Sequence, residues 1–280
     1  MSVRVRDLLM RELDTLRYEP TDKRIRATLG DENVIDTTRA MLVWEPKRVV
    51  PTYGVPVQDI AGEILSLPRA APGDVEGHGV APMDAPQLAG RVVLDPSVPF
   101  EVRTTEGEPL TIRAAGAARD VAAFRADDPA LAGYVIVDFD GFDAWYEEDE
   151  RNVAHPRDPF HRIDIVRSSR HVRVERDGVL LAESTRPALL FEPPLPVRFY
   201  LRPEDVRADL TPSEKRTFCA YKGEAWYLSL ADEPDIAWTY PAPLREAAEV
   251  TGYVVFFNER VDIVVDGMAL ERPVTPWSPR

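Results

Sequence analysis

The chain has 280 residues and a formal net charge of −14, with 34 Lys and Arg against 48 Asp and Glu. Its 44% hydrophobic content excludes a disordered protein, and its 26 prolines favour turns and short strands over long helices. No apolar run approaches the roughly 18 residues of a membrane span, and the acidic balance argues against nucleic-acid or membrane partners. The single cysteine, Cys219, excludes intrachain disulfides and zinc sites built from cysteine pairs.

The N-terminal segment predicts a short helix at residues 3–17, where apolar residues recur near helical spacing. Charged residues interrupt this segment every few positions, which is unlike a secretory signal peptide. We therefore expect a cytoplasmic protein, and the sequence leaves open whether it is a monomer or a homodimer.

Residues 25–46 and 172–193 align without a gap, and residues 133–145 and 252–264 form a second pair of similar blocks. The matched positions are Arg26 and Arg173, Thr38 and Thr185, Arg39 and Arg186, Leu42 and Leu189, Glu45 and Glu192, Pro46 and Pro193, and Tyr53 and Tyr200. Because self-similarity at a long offset is the mark of a repeated module, we interpret the chain as an internal duplication.

The repeat predicts a divergent first module at residues 1–150, a linker packed on the surface at 151–169, and a second module at 170–280. The offset falls from 147 (172 − 25) to 119 (252 − 133) between the two blocks, so the first module is longer there. Residues 67–90, rich in Pro, Gly and Ala without periodicity, account for this surplus as a flexible insertion.

Each module is predicted to consist mainly of β-strands. Residues 172–184 alternate apolar and polar side chains around Asp177-Gly178, a strong hairpin signal, and short helical pieces are expected at 203–209 and 244–250. Many short strands with regular turns predict an all-β fold of two related modules, each a small antiparallel barrel or sandwich, arranged pseudo-symmetrically. Neither a Rossmann motif nor a P-loop occurs.

Two stretches of the second module carry a family resemblance. Residues 217–230 read TFCAYKGEAWYLSL, and residues 235–267 read DIAWTYPAPLREAAEVTGYVVFFNERVDIVVDG. With the upstream Glu192-Pro193 pair, their order and spacing resemble the bacterial family 427 of the domains of unknown function, sometimes labelled nucleotidyltransferase-like. The resemblance covers residues 170–267 and extends to the first module as a divergent copy. It implies compact β-barrel or tent-like modules with a ligand-sized cavity.

The sharpest local feature is the sequence Cys219-Ala-Tyr-Lys222-Gly223. Lys222 could clamp a phosphate or carboxylate, and Gly223 would let the backbone approach a ligand closely. A lysine near a thiol also favours the thiolate, which makes Cys219 a candidate nucleophile under an enzyme reading. The alternative is a buried thiol, an exposed lysine and a turn glycine. On a regular strand, Cys219 and Lys222 would face opposite sides.

An aromatic set accompanies this element. Together with Lys222 and Gly223, the candidate ligand-binding residues are Arg198, Tyr200, Trp226, Tyr227, Trp238 and Tyr240. We expect them to line a pocket for a small, flat or anionic metabolite, the alternative being a hydrophobic core whose tyrosine hydroxyls reach the surface. The corresponding region of the first module lacks the Lys222 element and these aromatic residues, so we expect the ligand site in the second module.

Asp138 and Asp140 would put two carboxylates on one face of a strand, the arrangement that Mg²⁺-dependent nucleotidyl transfer uses. The alternative is a solvated hairpin, because no phosphate-binding Gly-Ser loop accompanies the pair. His155 and His161 show no metal-ligand spacing and are interpreted as linker histidines. No cofactor is predicted, and Mg²⁺ enters only with the enzyme alternative.

The sequence therefore predicts a module that binds a small molecule. One alternative is a nucleotide-directed enzyme that uses a metal at Asp138 and Asp140 or a thiolate at Cys219. The other is a scaffold or dimerisation protein that pairs through exposed sheet edges.

Overall fold

The computed structural model describes residues 10–69, 91–114, 116–275 and 277–279, together with the single positions 2, 5, 8 and 75. Antiparallel β-sheet makes up nearly all of the regular structure in this part of the chain, which confirms the all-β prediction. No helical segment among these residues combines the length and the apolar character that a membrane span requires.

The chain divides into two compact units, with the boundary between Asp158 and Pro159. The strands of the first unit are β1 (Arg17–Pro20), β2 (Ile25–Leu29), β3 (Glu32–Thr37), β4 (Met41–Trp44), β5 (Thr52–Pro56), β6 (Glu63–Ser66), β7 (Gly107–Ala114), β8 (Ala117–Ala126), β9 (Tyr134–Val137), β10 (Ala144–Glu147) and β11 (Glu150–Asn152). Those of the second unit are β12 (Asp164–Arg167), β13 (Val172–Arg176), β14 (Val179–Ser184), β15 (Ala188–Phe191), β16 (Arg198–Leu201), β17 (Thr211–Cys219), β18 (Gly223–Ser229), β19 (Ala237–Thr239), β20 (Val254–Phe256), β21 (Asp262–Val265) and β22 (Met268–Ala269). Short 3₁₀ helices lie at Val57–Asp59, Pro129–Leu131, Pro203–Asp205 and Arg245–Val250.

Both units have the same strand topology. In the first unit, a seven-stranded sheet has the order β1-β4-β5-β9-β8-β7-β6, and a four-stranded sheet has the order β11-β10-β2-β3. In the second unit the orders are β12-β15-β16-β20-β19-β18-β17 and β22-β21-β13-β14, so each strand number is raised by eleven (12 − 1). The sheets are antiparallel and open, so of the module shapes expected from the sequence only the closed barrel is wrong. The alternating pattern of a sequence predicts its strands, but it does not determine whether the two edge strands of a sheet pair with each other.

An inner core lies between the two sheets of each unit. In the second unit it joins Val172 and Ile263 of the four-stranded sheet to Phe199 and Phe256 of the seven-stranded sheet. The burial alternates along the strands, because successive side chains of a strand point to opposite faces. We call the other face of each seven-stranded sheet, which is turned away from the four-stranded sheet, the outer face.

The outer face of the second unit carries its own hydrophobic cluster. Leu190, Tyr200, Trp238 and Val255 lie there, and the 3₁₀ helix Arg245–Val250 packs over them through its buried side chains. A seven-stranded sheet that is apolar on both sides needs such a cover, since one four-stranded sheet shields only one face.

Strand register corrects one of the matches made from the sequence. Leu42 pairs with Tyr53 in the first unit, and the equivalent Leu189 pairs with Phe199 in the second. Tyr53 is therefore equivalent to Phe199, and the match with Tyr200 is wrong by one residue. The connection before β16 is one residue shorter than the connection before β5, and a one-residue shift moves a side chain to the opposite face of the sheet.

The helix expected at residues 3–17 lies partly outside the described residues. Val5 and Leu8 are helical, whereas residues 10–17 are not, so that part of the prediction is wrong. The amide of Leu13 donates to the carbonyl of Met10 in a turn, and Arg17 already begins β1. Pairing of β1 with β4 overrides the local helical pattern. The flexible insertion predicted at 67–90 falls largely outside the described residues.

The register that places Tyr53 on the inner face of β5 can be tested by mutation. The Tyr53 hydroxyl donates to Glu147 Oε1 at 2.8 Å and accepts from Asn152 Nδ2 at 3.0 Å. We expect Tyr53→Phe to lower the free energy of unfolding by about 1–2 kcal/mol, because a buried acceptor loses its donor. Tyr18→Phe, at a tyrosine that is 44% exposed, serves as the control and should change it by less than about 0.5 kcal/mol. Urea unfolding of the full chain measures both, and equal midpoints for the two variants would contradict the register.

Candidate functional site

The outer face of the second unit collects most of the predicted ligand residues. Alternation along β16 places Arg198 and Tyr200 there, and β18 and β19 contribute Tyr227 and Trp238, with Tyr240 just beyond β19. All five side chains are buried. The structure therefore brings together aromatic residues that are up to about forty positions apart in sequence (240 − 198).

A tight turn brings Lys222 to the same place. Residues 220–222 join β17 to β18, and Cys219 pairs with Gly223 across the turn. Gly223 has φ +91°, in the left-handed region that favours glycine, and a Cβ there would lie 3.3 Å from the backbone nitrogen of Leu244. Because the chain reverses here, Lys222 comes close enough to Cys219 for the two side chains to interact electrostatically. This differs from the regular strand assumed for the sequence, which separates the two side chains.

The Lys222 ammonium forms a buried ion pair. Its Nζ donates to Glu192 Oε2 at 2.5 Å, and each of the two side chains is only 9% exposed. The other oxygen of Glu192 lies 3.2 Å from His161 Nε2, and the His161 ring lies 4.8 Å from the ring of Tyr221. Glu192 thus bridges a lysine and a histidine that come from different parts of the second unit.

Both members of the pair are ionised at neutral pH. Burial alone would raise the pKa of Glu192, but the Lys222 charge and hydrogen bonds from His161 and Lys222 outweigh burial and lower this pKa to about 2. Burial would lower the pKa of Lys222, but the potentials of Cys219 and Glu192 raise it well above its usual value. The site therefore contains a fixed positive charge beside a fixed negative one.

Tyr200 and Tyr240 of the cluster remain protonated. Burial raises the pKa of Tyr240 well above its ordinary value and also raises that of Tyr200. Each phenol therefore keeps a hydroxyl hydrogen. Among the residues that the structure describes, the Tyr240 hydroxyl has no hydrogen-bond partner.

Two predicted ligand residues are arranged differently. Trp226 lies on the opposite face of β18, is 42% exposed, and is covered by the Arg216 guanidinium at 4.4 Å from the ring centroid. Arg198 lies on the outer face, but both of its terminal nitrogens donate to Glu259 at 2.7 Å. The structure brings Arg198 near Trp238 and keeps Trp226 apart from the cluster.

The metal candidates Asp138 and Asp140 lie in the first unit. Strand β9 ends at Val137, and the next residues form a turn in which the Asp140 amide donates to Asp138 Oδ1 at 3.1 Å. The expected placement of both carboxylates on a strand face is therefore wrong. In the described ranges, no group of three or more His, Cys, Asp or Glu side chains could hold a metal ion.

Reasoning from the sequence missed two members of the site. In the sequence, Glu192 serves only as a marker of the repeat and of the family, although a Glu-Pro pair directly after a strand in both copies is a usable signal for a site. His161 was assigned to the linker, and its 31-residue separation from Glu192 gave no local clue to their contact.

Removing the buried carboxylate tests the ion pair. We expect Glu192→Gln to lower the free energy of unfolding by about 3 kcal/mol at pH 7, because it leaves the Lys222 charge buried without its partner. The double variant Glu192→Gln/Lys222→Met removes both charges and should recover part of this loss. Urea unfolding of the full chain checks both, and a double variant as unstable as the sum of its single changes would contradict a coupled pair.

The ion pair also predicts an acid dependence. A carboxyl with a folded pKa near 2 and an ordinary unfolded value of 4.5 stabilises the fold above pH 4.5, and this contribution is lost as the pH falls toward 2. The difference in stability between the parent and Glu192→Gln should therefore be constant from pH 6 to 7 and shrink below pH 4.5. Unfolding midpoints across this range measure it, and a difference that grows on acidification would contradict the assignment.

Comparison with known proteins places the site in a family domain. Residues 164–267 match the family model described as a domain of unknown function (DUF427), named NTP_transf_9. No curated protein matches the chain. The matched stretch runs from β12 to the turn after β21 and contains Glu192, Lys222 and the aromatic cluster. The second unit of this chain therefore belongs to the DUF427 family.

Proposed function

We propose that the second unit binds a small molecule that combines a flat ring with an anionic group, at the outer-face cluster around Lys222. One observation carries the proposal. Lys222 is more than nine-tenths buried and ionised, yet its ammonium, which has three N–H donors, has one acceptor among the described residues, Glu192. Buried donors are normally satisfied, so the remaining donors favour an acceptor that comes from outside the chain.

The hydroxyl group of Tyr240, near Lys222, supports the same ligand chemistry. Tyr240 is 4% exposed, keeps its hydrogen, and has no partner in the described part of the chain. An electrostatic interaction between Lys222 and Tyr240 affects the pKa of each group, so the ammonium and the phenol lie near each other. A carboxylate or phosphate accepts hydrogen bonds from both groups, and a donor-only ligand would satisfy neither.

The aromatic side chains supply apolar walls. Trp238 lies 4.5 Å from the ring of Phe257, and Tyr227 lies 6.2 Å from it in a stacked arrangement. Aromatic walls with a few convergent polar groups are typical of small-molecule sites. The proposed site residues are Tyr200, Lys222, Gly223, Tyr227, Trp238 and Tyr240. Trp226 is left out because it lies on the other face, and Arg198 because Glu259 engages its guanidinium.

The first unit differs at the equivalent position, which supports the placement in the second unit. Glu45, equivalent to Glu192, accepts from Arg103 Nη1 at 2.8 Å. The Arg103 guanidinium lies between the rings of Phe100 and Phe124, at 3.5 and 4.5 Å from their centroids. Phe124 is equivalent to Trp238 by strand register. The equivalent carboxylates thus pair with different cations, a forked guanidinium in the first unit and a smaller ammonium in the second.

We also infer that the two units arose by duplication of one module. The shared strand order and the two buried glutamates after β4 and β15 support this inference. A common ancestor would explain why the same carboxylate recurs while the cation that neutralises it differs. The enzyme and scaffold alternatives have no comparable observation in their favour.

Thermal-shift and calorimetric titrations of the full chain test the ligand class. The probes are 4-hydroxybenzoate and adenosine monophosphate, which both combine a ring with an anion. We expect at least one probe to raise the unfolding temperature of the parent. Lys222→Met should abolish this shift, and Tyr240→Phe should weaken binding about three- to tenfold, the effect of one lost hydrogen bond.

The matched control is Trp226→Leu, which changes an aromatic residue on the opposite face of β18 from Tyr227. This variant should bind the probes like the parent. Circular dichroism confirms that each variant is folded. If the Lys222→Met protein is folded and keeps the full thermal shift, or if neither probe binds the parent, the proposal is wrong.

A further inference from the structure

A separate concave surface, which the proposed function does not use, lies in the first unit. Its volume is about 330 Å³, within the range of small-molecule sites. It is formed by the segment after β4, the segment before β7, the turn after β9 and the residues after β11. Glu101, Asp138 and Asp140 line it with carboxylates, and Phe100 and Phe139 line it with aromatic rings.

Positive charges of the chain reach these carboxylates only from a distance, since those of Arg48 and Arg103 act on Asp138 without forming an ion pair with it. Among the described residues, none of them forms an ion pair, and Asp138 accepts only the backbone amide of Asp140. Arg48 also lines the surface, but its terminal nitrogens donate to the backbone carbonyls of residues 98, 99 and 102. The concave surface is therefore acidic, with no Lys or Arg side chain paired to its carboxylates.

The pKa of Asp138 is raised mainly by burial, and the neighbouring carboxylates add to the rise. Burial raises its pKa, the Asp140 amide lowers it, the charges of Asp140 and Glu101 raise it, and Arg103 lowers it, with a net rise to about 6. A carboxyl that resists ionisation beside two others is stabilised by an external cation.

In the second unit, an arginine of the chain itself lies at the position equivalent to this concave surface. Val43 pairs with Thr52 in the first unit, and the equivalent Leu190 pairs with Arg198 in the second. Position 52, which lines the concave surface, is thus threonine where the second unit has arginine.

The carboxylates are equivalent as well. The amide of Gly141 donates to the carbonyl of Asp138, and the amide of Arg260 donates to the carbonyl of Phe257, in the same turn after β9 and β20. The residue before each of these amides is acidic, Asp140 in the first unit and Glu259 in the second.

In the second unit, the guanidinium of Arg198 occupies this place. It donates to both oxygens of Glu259 at 2.7 Å and lies 5.5–5.9 Å from the ring centroids of Trp238, Phe257 and Trp277. The equivalent carboxylate therefore binds a guanidinium among aromatic rings.

We propose that the concave surface of the first unit binds a small organic cation with a guanidinium or ammonium head group, which takes the place that Arg198 occupies in the second unit. The head group pairs with Asp140, while Asp138 and Glu101 add attraction. Phe100 and Phe139, with the neighbouring prolines, contact the apolar stem. Unlike the proposed site in the second unit, this one selects positive charge.

Isothermal titration calorimetry of the full chain at pH 7.5 tests the proposal with n-butylguanidinium chloride as the probe. We expect saturable binding to the parent and at least tenfold weaker binding to Asp140→Asn and to Asp138→Asn. The control is Asp149→Asn, which removes a carboxylate whose side chain is 99% exposed and should leave the affinity unchanged. Equal affinities of the parent and Asp140→Asn, or no binding to the parent, would overturn the proposal.

Thr52→Arg tests the equivalence of the two units directly. This variant places an arginine at the position of Arg198, so it should abolish binding of n-butylguanidinium and raise the unfolding temperature. A folded Thr52→Arg protein that binds the probe like the parent would show that the head group lies elsewhere, which contradicts the proposal.

Three further titrations separate this ligand class from others. n-Butanol should not bind, MgCl₂ should not displace the probe, and the peptide acetyl-Gly-Arg-Gly-amide should bind no more tightly than n-butylguanidinium. Equal binding of the alcohol, displacement by Mg²⁺ or tighter binding of the peptide would each overturn the assignment. Lys222→Met should retain the binding, so failure of this proposal is distinguishable from failure of the site in the second unit.

Discussion

A buried carboxylate directly after the β4 strand, and again after the equivalent β15, is the constraint on which both units depend. Glu45 is 1% exposed and Glu192 is 7% exposed, and an unpaired charge at such depth would cost several kcal/mol. Each fold must therefore bring a cation to this point. The first unit uses Arg103, and the second uses Lys222 with His161 on the other oxygen. Among the described residues, the two cations leave different donors without an acceptor, Nε and Nη2 of Arg103 in the first unit and two N–H groups of Lys222 in the second.

A second carboxylate, in the turn after β9 or β20, is treated in opposite ways by the two units. Glu259 receives the Arg198 guanidinium and the Thr275 hydroxyl, so its charge is satisfied within the chain. Asp140 has no such partner among the described residues. A common topology thus carries two different distributions of charge, and the proposed ligands, an anion in one unit and a cation in the other, follow from them.

The sequence predicted the fold wherever the determining pattern was local. The Asp177-Gly178 hairpin follows from two residues that tolerate positive φ, and both adopt it, at 50° and 77°. The matched blocks correctly aligned β2 with β13, because both strands alternate in the same way. The Tyr53 match failed since a single missing residue in a connection is invisible in a short alignment, yet it turns the side chain to the other face. Whether the sheets close into barrels, and which secondary structure residues 10–17 adopt, depend on pairing between strands that are distant in sequence. The barrel and the helix at residues 10–17 were therefore predicted wrongly.

By itself, the sequence determined that residues two positions apart on a strand, such as Trp238 and Tyr240, could share a face. It also determined which chemistry is available, including a lysine before a glycine and two aspartates two positions apart. The shared face follows from the period of the β-strand, which is a local property. Only the tertiary structure decided the partners. Glu192 is 30 residues from Lys222, and Arg198 is 61 residues from Glu259. The order of the strands in the sheet determines which charged residues form ion pairs. The spacing of residues within one segment does not encode that order.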